Sequence, residues 1–270
     1  GSAASLILDI DKSMLSNFLT IENVAYYSVA VFIAAVIEIP GRAMFQIVNP
    51  IVAKLINIDD KKQLIGLLKK TSNNLMFVSG LFFLLIILNL DDFYDWSNLK
   101  EYKKAIEVVY IIAFGKLFSM SLGCLNNIIT NSKYYIYVFW FSISSAFLAV
   151  LLNYHLIPSN GILGAAFATL FVIILINVAK LILVQVTYKA NPFNLKTLLS
   201  LSSIGIVFIV ISNLKLELIL DAMIQSSPII KISFRSLIII AFYCSLSYFL
   251  GLTKDFQNVV MQYKLKKWKN

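Results

Sequence analysis

The sequence predicts an all-α fold, a polytopic transmembrane helix bundle. Of its 270 residues 59% are hydrophobic and only 14% are charged, and the mean hydropathy is +0.82. A soluble domain uses about a quarter charged residues, so this chain lacks the polar residues to cover a water-exposed surface. The apolar residues also occur in long runs rather than in amphipathic stripes, which is the pattern that surrounding lipid selects.

Seven apolar runs are candidates for crossing a bilayer, which takes about 20 mostly apolar residues. The predicted spans are 24–53, 71–90, 106–130, 134–153, 161–187, 197–214 and 229–251. The first is long and holds Pro40 and Pro50, so we expect it to be kinked or to end in an interfacial turn. The connections are short, so neighbouring helices should pack antiparallel as one bundle.

The opening stretch, 1–10, is apolar but too short to span. Asp9 and Asp11 are expected to end it. It has no basic segment of the type that precedes a signal-peptide core. We therefore expect it to be the tail of a helix whose start is missing, and we interpret the chain as a fragment of a longer transporter.

Lysine marks one side of the membrane in this prediction. If the spans alternate, one side carries fourteen Lys and three acids, whereas the other carries seven basic residues and ten acids. The positive-inside rule then places the lysine-rich connections, the C-terminus and the basic tail in the cytoplasm. The fourteen are Lys54, Lys61, Lys62, Lys69, Lys70, Lys133, Lys180, Lys189, Lys196, Lys254, Lys264, Lys266, Lys267 and Lys269.

Several other functions are disfavoured by the same composition. The net charge of +9 would suggest nucleic acid in a soluble protein, but these lysines lie between apolar runs, so we expect no nucleic-acid partner. Cys124 and Cys244 lie inside apolar runs and His155 is single, so no metal or cofactor is expected. No phosphate-binding glycine loop or nucleophile motif is present, which predicts that the chain is not an enzyme.

Glu38 and Arg42 are the first candidate binding residues. They lie four residues apart and so share one helix face, with Pro40 between them. A charge near the bilayer centre is costly and should face protein or a wet cavity. Two interpretations remain open: the pair only neutralises itself so that the helix can insert, or Arg42 faces a cavity and binds an anionic group such as phosphate.

The third span holds the second set of candidates. On a continuous helix, Lys116, Gly123 and Asn127 lie within about 20° of one another and Asn131 about 60° away, which predicts a polar stripe. Asn126 flanks this stripe. The stripe either forms hydrogen bonds that hold the bundle together or is the wall of a cavity that contacts a polar substrate.

A turn followed by small residues precedes the fifth span. Residues 158–161, PSNG, predict the turn. Gly161, Gly164, Ala165 and Ala166 then predict close helix packing, because small residues let helix backbones approach closely in lipid.

Several segments together resemble the bacterial polysaccharide (O-antigen-type) flippases of the multidrug/oligosaccharidyl-lipid/polysaccharide exporter superfamily. The resemblance extends over about 5–190 and rests on the order and spacing of the segments. They are DKSML at 11–15, ENVAYYSVA at 22–30, PGRA at 40–43, NPIVA at 49–53, NNII at 126–129, SKYY at 132–135 and GILGAAFA at 161–168.

The resemblance implies a second six-helix lobe with its first helix truncated, at 1–190, two additional helices at 191–252 and a basic tail at 253–270. Such proteins move an undecaprenyl-diphosphate-linked oligosaccharide across the bacterial inner membrane for surface polysaccharide, or lipopolysaccharide, biosynthesis. The implied partners are the lipid-linked oligosaccharide, membrane lipids and the missing N-terminal lobe. By position, Arg42 and then Lys116 are the expected contacts of the diphosphate.

Two alternatives stay open. A drug or small-cation exporter of the same superfamily would favour a carboxylate in the cavity, and Glu38 could serve. A membrane-embedded glycan polymerase, ligase or acyltransferase is the other. Such enzymes usually need a large external loop with catalytic side chains, whereas the longest predicted loops, 90–105 and 213–228, are short and lack His.

Overall fold

The computed structural model of the protein describes residues 2–214 and 227–252, and the side chains from residue 10 onward. Within these ranges the chain is helical and forms no β-strand, so the all-α prediction is confirmed. Two 3-10 segments, Val36–Glu38 and Lys100–Ala105, join longer helices. The α-helices are α1 (Ser2–Phe18), α2 (Ile21–Ala35), α3 (Ile39–Asn57), α4 (Lys61–Trp96), α5 (Ile106–Ser121), α6 (Leu125–Asn131), α7 (Ile136–Tyr188), α8 (Leu195–Asn213) and α9 (Pro228–Phe249).

Five helical stretches among the described residues are long and apolar enough to cross a membrane. They are Ile21–Asn57, Lys61–Trp96, Ile136–Tyr188, Leu195–Asn213 and Pro228–Phe249. A sixth crossing is formed if Lys100–Ser121 and Leu125–Asn131, which meet at 59°, make one span. The chain is therefore a multi-pass, all-helical membrane protein.

Helix α7 folds back on itself and holds two of the predicted spans. Gly161, in its middle, has φ 57° and ψ −135°, which is not helical. The Asp11 carboxylate accepts hydrogen bonds from both Asn153 and Thr169, eight residues on either side of Gly161. One side chain can reach both only if the chain reverses at Gly161. The turn predicted at 158–161 is thus a single-residue reversal, and we call 136–160 and 161–188 the first and second arms of α7.

The long first span is interrupted by a 3-10 segment where the sequence places its first proline. The chain tightens into the 3-10 segment Val36–Glu38, and α3 then begins with Pro40 in its first turn. Proline is tolerated there because its missing N–H would have no helical partner. Pro50 lies inside α3, which continues to Asn57.

The predicted third span is not one continuous helix. Gly123 has φ 61° and separates α5 from α6. A Cβ at Gly123 would collide with the backbone nitrogen of Ser72. The break is tied to α4, because the N–H of Cys124 donates to Thr71 Oγ1 at 3.1 Å and the Ser72 hydroxyl donates to the carbonyl of Ser121. The expected alignment of polar residues along one straight helix is therefore wrong.

The opening stretch is also longer than predicted. Helix α1 runs through Asp11 to Phe18 instead of ending at the acidic residues. It packs mainly against α7, and the Asp11 side chain is buried in that contact. The prediction that Asp11 ends a helix tail is wrong, because its carboxylate is satisfied by hydrogen bonds inside the bundle rather than by water.

One cluster of buried apolar side chains gathers the end of α3, the start of α4, α6 and the end of α7. Lys54, Lys61, Lys133 and Lys189 lie on or beside these four helix ends. We call this the lysine end of the bundle. Lys180 is an exception to the predicted placement of the lysines in connections on one side of the membrane, since it lies inside the second arm of α7.

Helices α8 and α9 pack against α4. The Tyr243 ring stacks on Phe77, with centroids 5.3 Å apart, and its hydroxyl donates to the Phe77 carbonyl. The Arg235 guanidinium lies 2.8 Å from the Asp92 carboxylate, and both side chains are largely buried. These contacts hold α9 against α4, and α8 and α9 are the two helices predicted at 191–252. The predicted basic tail, 253–270, lies outside the described residues.

Candidate substrate cavity

A polar cavity of about 390 Å³ lies inside the bundle. Its polar lining comes from five elements: Glu38 ends the 3-10 segment, Arg42 lies in the first turn of α3, Ser119 lies in α5, Asn126 lies in α6, and Asn177 and Lys180 lie in the second arm of α7. The 3-10 segment before Pro40 and the break at Gly123 both border this cavity. Irregular backbone at membrane depth is tolerated where it is buried in protein or lines a water-filled cavity.

Glu38 is paired with two cations. Its Oε1 lies 3.0 Å from Lys116 Nζ, and its Oε2 lies 3.9 Å from the Arg42 guanidinium. The Lys116 side chain is 12% exposed, whereas that of Arg42 is 69% exposed. A separation of 3.9 Å is too long for a hydrogen bond. Lys116 therefore provides the closer balance for the acid, and the Arg42 guanidinium remains open to the cavity.

Lys180 adds a third cation, which the sequence reasoning assigned to a connection. It lines the same cavity as Glu38 and Arg42, and no carboxylate lies within ion-pair distance of it among the described residues. The signal for it was present, because position 180 falls inside the apolar run 161–187. Three cations and one carboxylate thus meet at this site, which leaves a net positive charge.

The amide side chains divide between two roles. Asn126 is exposed and lines the cavity, and Asn177 donates to the Ser119 hydroxyl at 3.0 Å, which ties α7 to α5. Asn127 and Asn131 both donate to Oδ1 of Asn49, at 3.1 and 2.7 Å. These two asparagines hold α6 against α3, outside the cavity lining. The sequence reasoning did not single out Asn49, which belongs to this contact.

The small residues around the α7 reversal lie deep in the bundle. Gly164, Ala165 and Ala166 are buried. A Cβ at Gly164 would collide with the carbonyl of Leu156 in the first arm. Gly161 differs from them, since it is half-exposed and makes the reversal itself.

A second polar centre surrounds Asp11, whose residue surface is 1% exposed. Asn153 donates to its Oδ1 at 2.6 Å, and Thr169 donates to its Oδ2 at 2.6 Å. The Tyr27 hydroxyl donates to Oδ2 as well, at 3.1 Å. Helix α2 and both arms of α7 therefore supply neutral donors to one buried carboxylate on α1.

This centre lacks a compensating charge. No Lys or Arg of the described residues pairs with Asp11, and its three donors are uncharged. Asn153 Oδ1, beside it, is buried and receives no hydrogen bond. An ionised carboxylate buried without a charge partner is strongly disfavoured. The arrangement suits a carboxyl that carries a proton, or one that shares a monovalent cation with the Asn153 oxygen.

Sequence reasoning missed this centre because its members are far apart in the chain. Asn153 is 142 positions from Asp11 and Thr169 is 158 positions away. An acid within an otherwise apolar helical stretch was the available signal, since such residues usually face a bundle interior.

No protein-family model matches the chain, and no curated protein or solved structure matches it significantly. The resemblance to polysaccharide flippases therefore stays a prediction from the sequence segments described above.

Proposed function

We propose that the chain is part of a transporter that moves an undecaprenyl-diphosphate-linked oligosaccharide across the bacterial inner membrane, and that it is not an enzyme. The observation that carries this proposal is the charge of the polar cavity, which Arg42 and Lys180 line with one carboxylate, Glu38, that is itself paired with Lys116. A cationic site inside the bundle suits a substrate that brings negative charge into the bilayer, as a diphosphate does.

Arg42 is the best candidate for direct contact with the diphosphate. Its guanidinium is exposed in the cavity and is a planar donor that forms paired hydrogen bonds with phosphate oxygens. Lys180 acts from the facing helix as a second positive charge. Lys116 is paired with Glu38 at 3.0 Å, so its main role is to hold the acid and shape the wall.

The alternative of a drug or small-cation exporter is less well supported. Such a substrate needs an available carboxylate, but Glu38 already lies between Lys116 and Arg42. A membrane-embedded polymerase, ligase or acyltransferase would need a catalytic loop, and within residues 2–214 the helices are joined by segments of a few residues.

The buried Asp11 centre supports transport driven by a gradient. We propose that uptake and release of a proton or a monovalent cation at Asp11 changes how α1 packs against the two arms of α7. Filling the centre neutralises the carboxylate, whereas emptying it leaves a bare buried charge that favours rearrangement. One site of this kind gives the bundle two states of different charge.

The remaining assignments follow from the same proposal. Two lobes would enclose the full cavity, with this chain as the second lobe, the additional helices α8 and α9 beside it, and a first lobe as its partner. The lysine end and the C-terminus would face the cytoplasm, as the distribution of lysine favours.

The test is glycan export in cells that depend on the full-length protein. Arg42→Ala and Lys180→Ala should each lower surface glycan by about tenfold or more, the loss expected for one charged hydrogen bond to a phosphate. Lys133→Ala, at the lysine end and outside the cavity, is the matched control. Export that continues unimpaired in the Arg42 variant, with normal protein levels, would show that the assignment of Arg42 is wrong.

A further inference from the structure

An apolar groove opens between α4, α5 and the start of α8. Its volume is about 360 Å³, and it is separate from the polar cavity. It has few polar lining groups, and one of them, the Thr197 hydroxyl, already donates a hydrogen bond to Asn73 at 2.9 Å. The apolar lining includes Met76, Phe114, Leu117, Phe118, Leu198 and Leu201. This composition suits a hydrocarbon chain.

A second recess, of about 380 Å³, continues from the groove toward the lysine end. Asn194 lines both, so the recess and the groove lie side by side. Lys69, Lys70 and Lys196 line the recess, and it has no acidic lining residue. Within the described part of the chain, none of these three lysines has a carboxylate at ion-pair distance.

The charged and apolar parts follow each other in the same order on both helices. Along α4, Lys69 precedes Met76 by seven residues, which is about 10 Å of helix. Along α8, Lys196 precedes Leu201 by five residues, about 7.5 Å. Both helices start at the lysine end, so three lysines lie beside the mouth of an apolar groove. That order matches a phospholipid, whose phosphate lies at the interface and whose acyl chain points inward.

The start of α8 adds to the positive field. Asn194 caps this helix by accepting from the N–H of Thr197 at 3.0 Å. The partial positive charge of a helix N-terminus favours anions within its first turn. Because the recess concentrates positive charge and lacks acids, it favours a lipid with net negative charge over a zwitterionic one.

We propose that the groove between α4, α5 and α8 holds one anionic phospholipid, with its headgroup at Lys69, Lys70 and Lys196 and one acyl chain between Phe118 and Leu198. The lipid seals α8 against the bundle at this end. The site is distinct from the substrate cavity and does not depend on the proposed transport function.

The probe is phosphatidylglycerol, compared with phosphatidylcholine of the same chains. The full chain is reconstituted with a mixture of the two, extracted into detergent, and its retained lipid is measured by native mass spectrometry. We expect one retained phosphatidylglycerol per chain. The triple variant K69Q/K70Q/K196Q should retain at least about tenfold less phosphatidylglycerol. The control variant K54Q/K133Q/K189Q loses the same charge at the same end and should retain as much phosphatidylglycerol as the original chain.

A second variant tests the apolar half of the site. Leu198→Trp places a large ring in the groove and should displace the lipid while the lysines remain. Glycerophosphate at millimolar concentration should not compete with phosphatidylglycerol, because it has no acyl chain. Equal retention of the two lipids, equal loss in both triple variants, or full retention in Leu198→Trp with a monodisperse protein would overturn the proposal.

Discussion

Lys116 Nζ lies 3.0 Å from Glu38 Oε1, and this ion pair joins α5 to the 3-10 segment between α2 and α3. Both side chains are mostly shielded, at 12% and 22% exposure. The pair joins two irregular stretches, the 3-10 segment that ends at Glu38 and the helix that breaks at Gly123. It therefore determines the shape of the cavity wall on which Arg42 is presented.

Replacing one member of the Lys116–Glu38 pair should destabilise the protein more than replacing both members. Lys116→Met should lower the free energy of unfolding by about 2 kcal/mol, because the acid is left with a distant guanidinium as its partner. Glu38→Gln should cost a similar amount, since Lys116 then loses its charge partner. The double variant should be more stable than either single one in detergent thermal unfolding, and strictly additive losses would contradict the pair's importance.

Asp11 should tolerate loss of its charge better than loss of its polarity. Asp11→Asn keeps an acceptor for Thr169 and Tyr27, so we expect it to fold with a Tm close to that of the original protein. Asp11→Leu removes the carboxylate that accepts from three buried donors and should cost about 3 kcal/mol or more. Thermal unfolding of the purified chain, with Asn153→Ala as a companion variant, measures the difference.

Binding of a proton or a monovalent cation at the Asp11 centre should make the Tm depend on the concentration of that ion. A ligand that binds only the folded state raises Tm with its concentration. The Tm of the original chain should therefore rise with the occupying ion when Na⁺, K⁺ and H⁺ are varied in turn. Asp11→Asn should be insensitive to the ion that acts on the original chain. An identical response in the variant would exclude Asp11 as the site.

The break at Gly123 should not accept a side chain. Gly123→Ala combines a φ of 61° with a collision against the backbone nitrogen of Ser72, so we expect a loss of about 2 to 3 kcal/mol. Gly66→Ala is the control, because a Cβ there meets nothing within 4 Å in the middle of a helix. That variant should be neutral or up to about 1 kcal/mol more stable. Equal Tm values for the two variants would contradict the described break.

The Arg235–Asp92 pair should hold α9 on the bundle. The two groups are 2.8 Å apart, with side chains 7% and 13% exposed, and Arg235 also donates to the Leu88 carbonyl. Asp92→Ala should destabilise the protein by about 3 kcal/mol. Lys103→Ala breaks a more exposed pair with Asp95 and should cost less than about 1 kcal/mol. Proteolysis of α9 that is no faster in Asp92→Ala than in Lys103→Ala would contradict this role.

Much of the fold follows from local sequence properties. Long apolar runs predict spanning helices because lipid acts on each segment separately. The 3-10 interruption before Pro40 and the reversal at Gly161 follow from the restricted or unusual backbone of those two residues. The sequence therefore predicts the order of the spans and the place of two irregularities, one of which borders the cavity.

The rest depends on contacts between distant residues. The break at Gly123 is stabilised by Thr71 and Ser72 on α4, about fifty positions away, and periodicity within the third span cannot show this. The Asp11 centre joins residues as far as 158 positions apart. Arg42 and Glu38 could be identified because they are charges within an apolar run, and the same criterion applied to Lys180 would have added the third cation.

The central claim, a polar cavity inside the helix bundle, is tested most directly by cysteine accessibility in native membranes. With Cys124→Ala and Cys244→Ser as background, Asn126→Cys should react with a charged, membrane-impermeant thiol reagent, and undecaprenyl diphosphate should slow the reaction. Leu237→Cys, exposed on the apolar surface of α9, should stay unreactive. An unreactive Asn126→Cys, or equal labelling at both positions, would contradict the account.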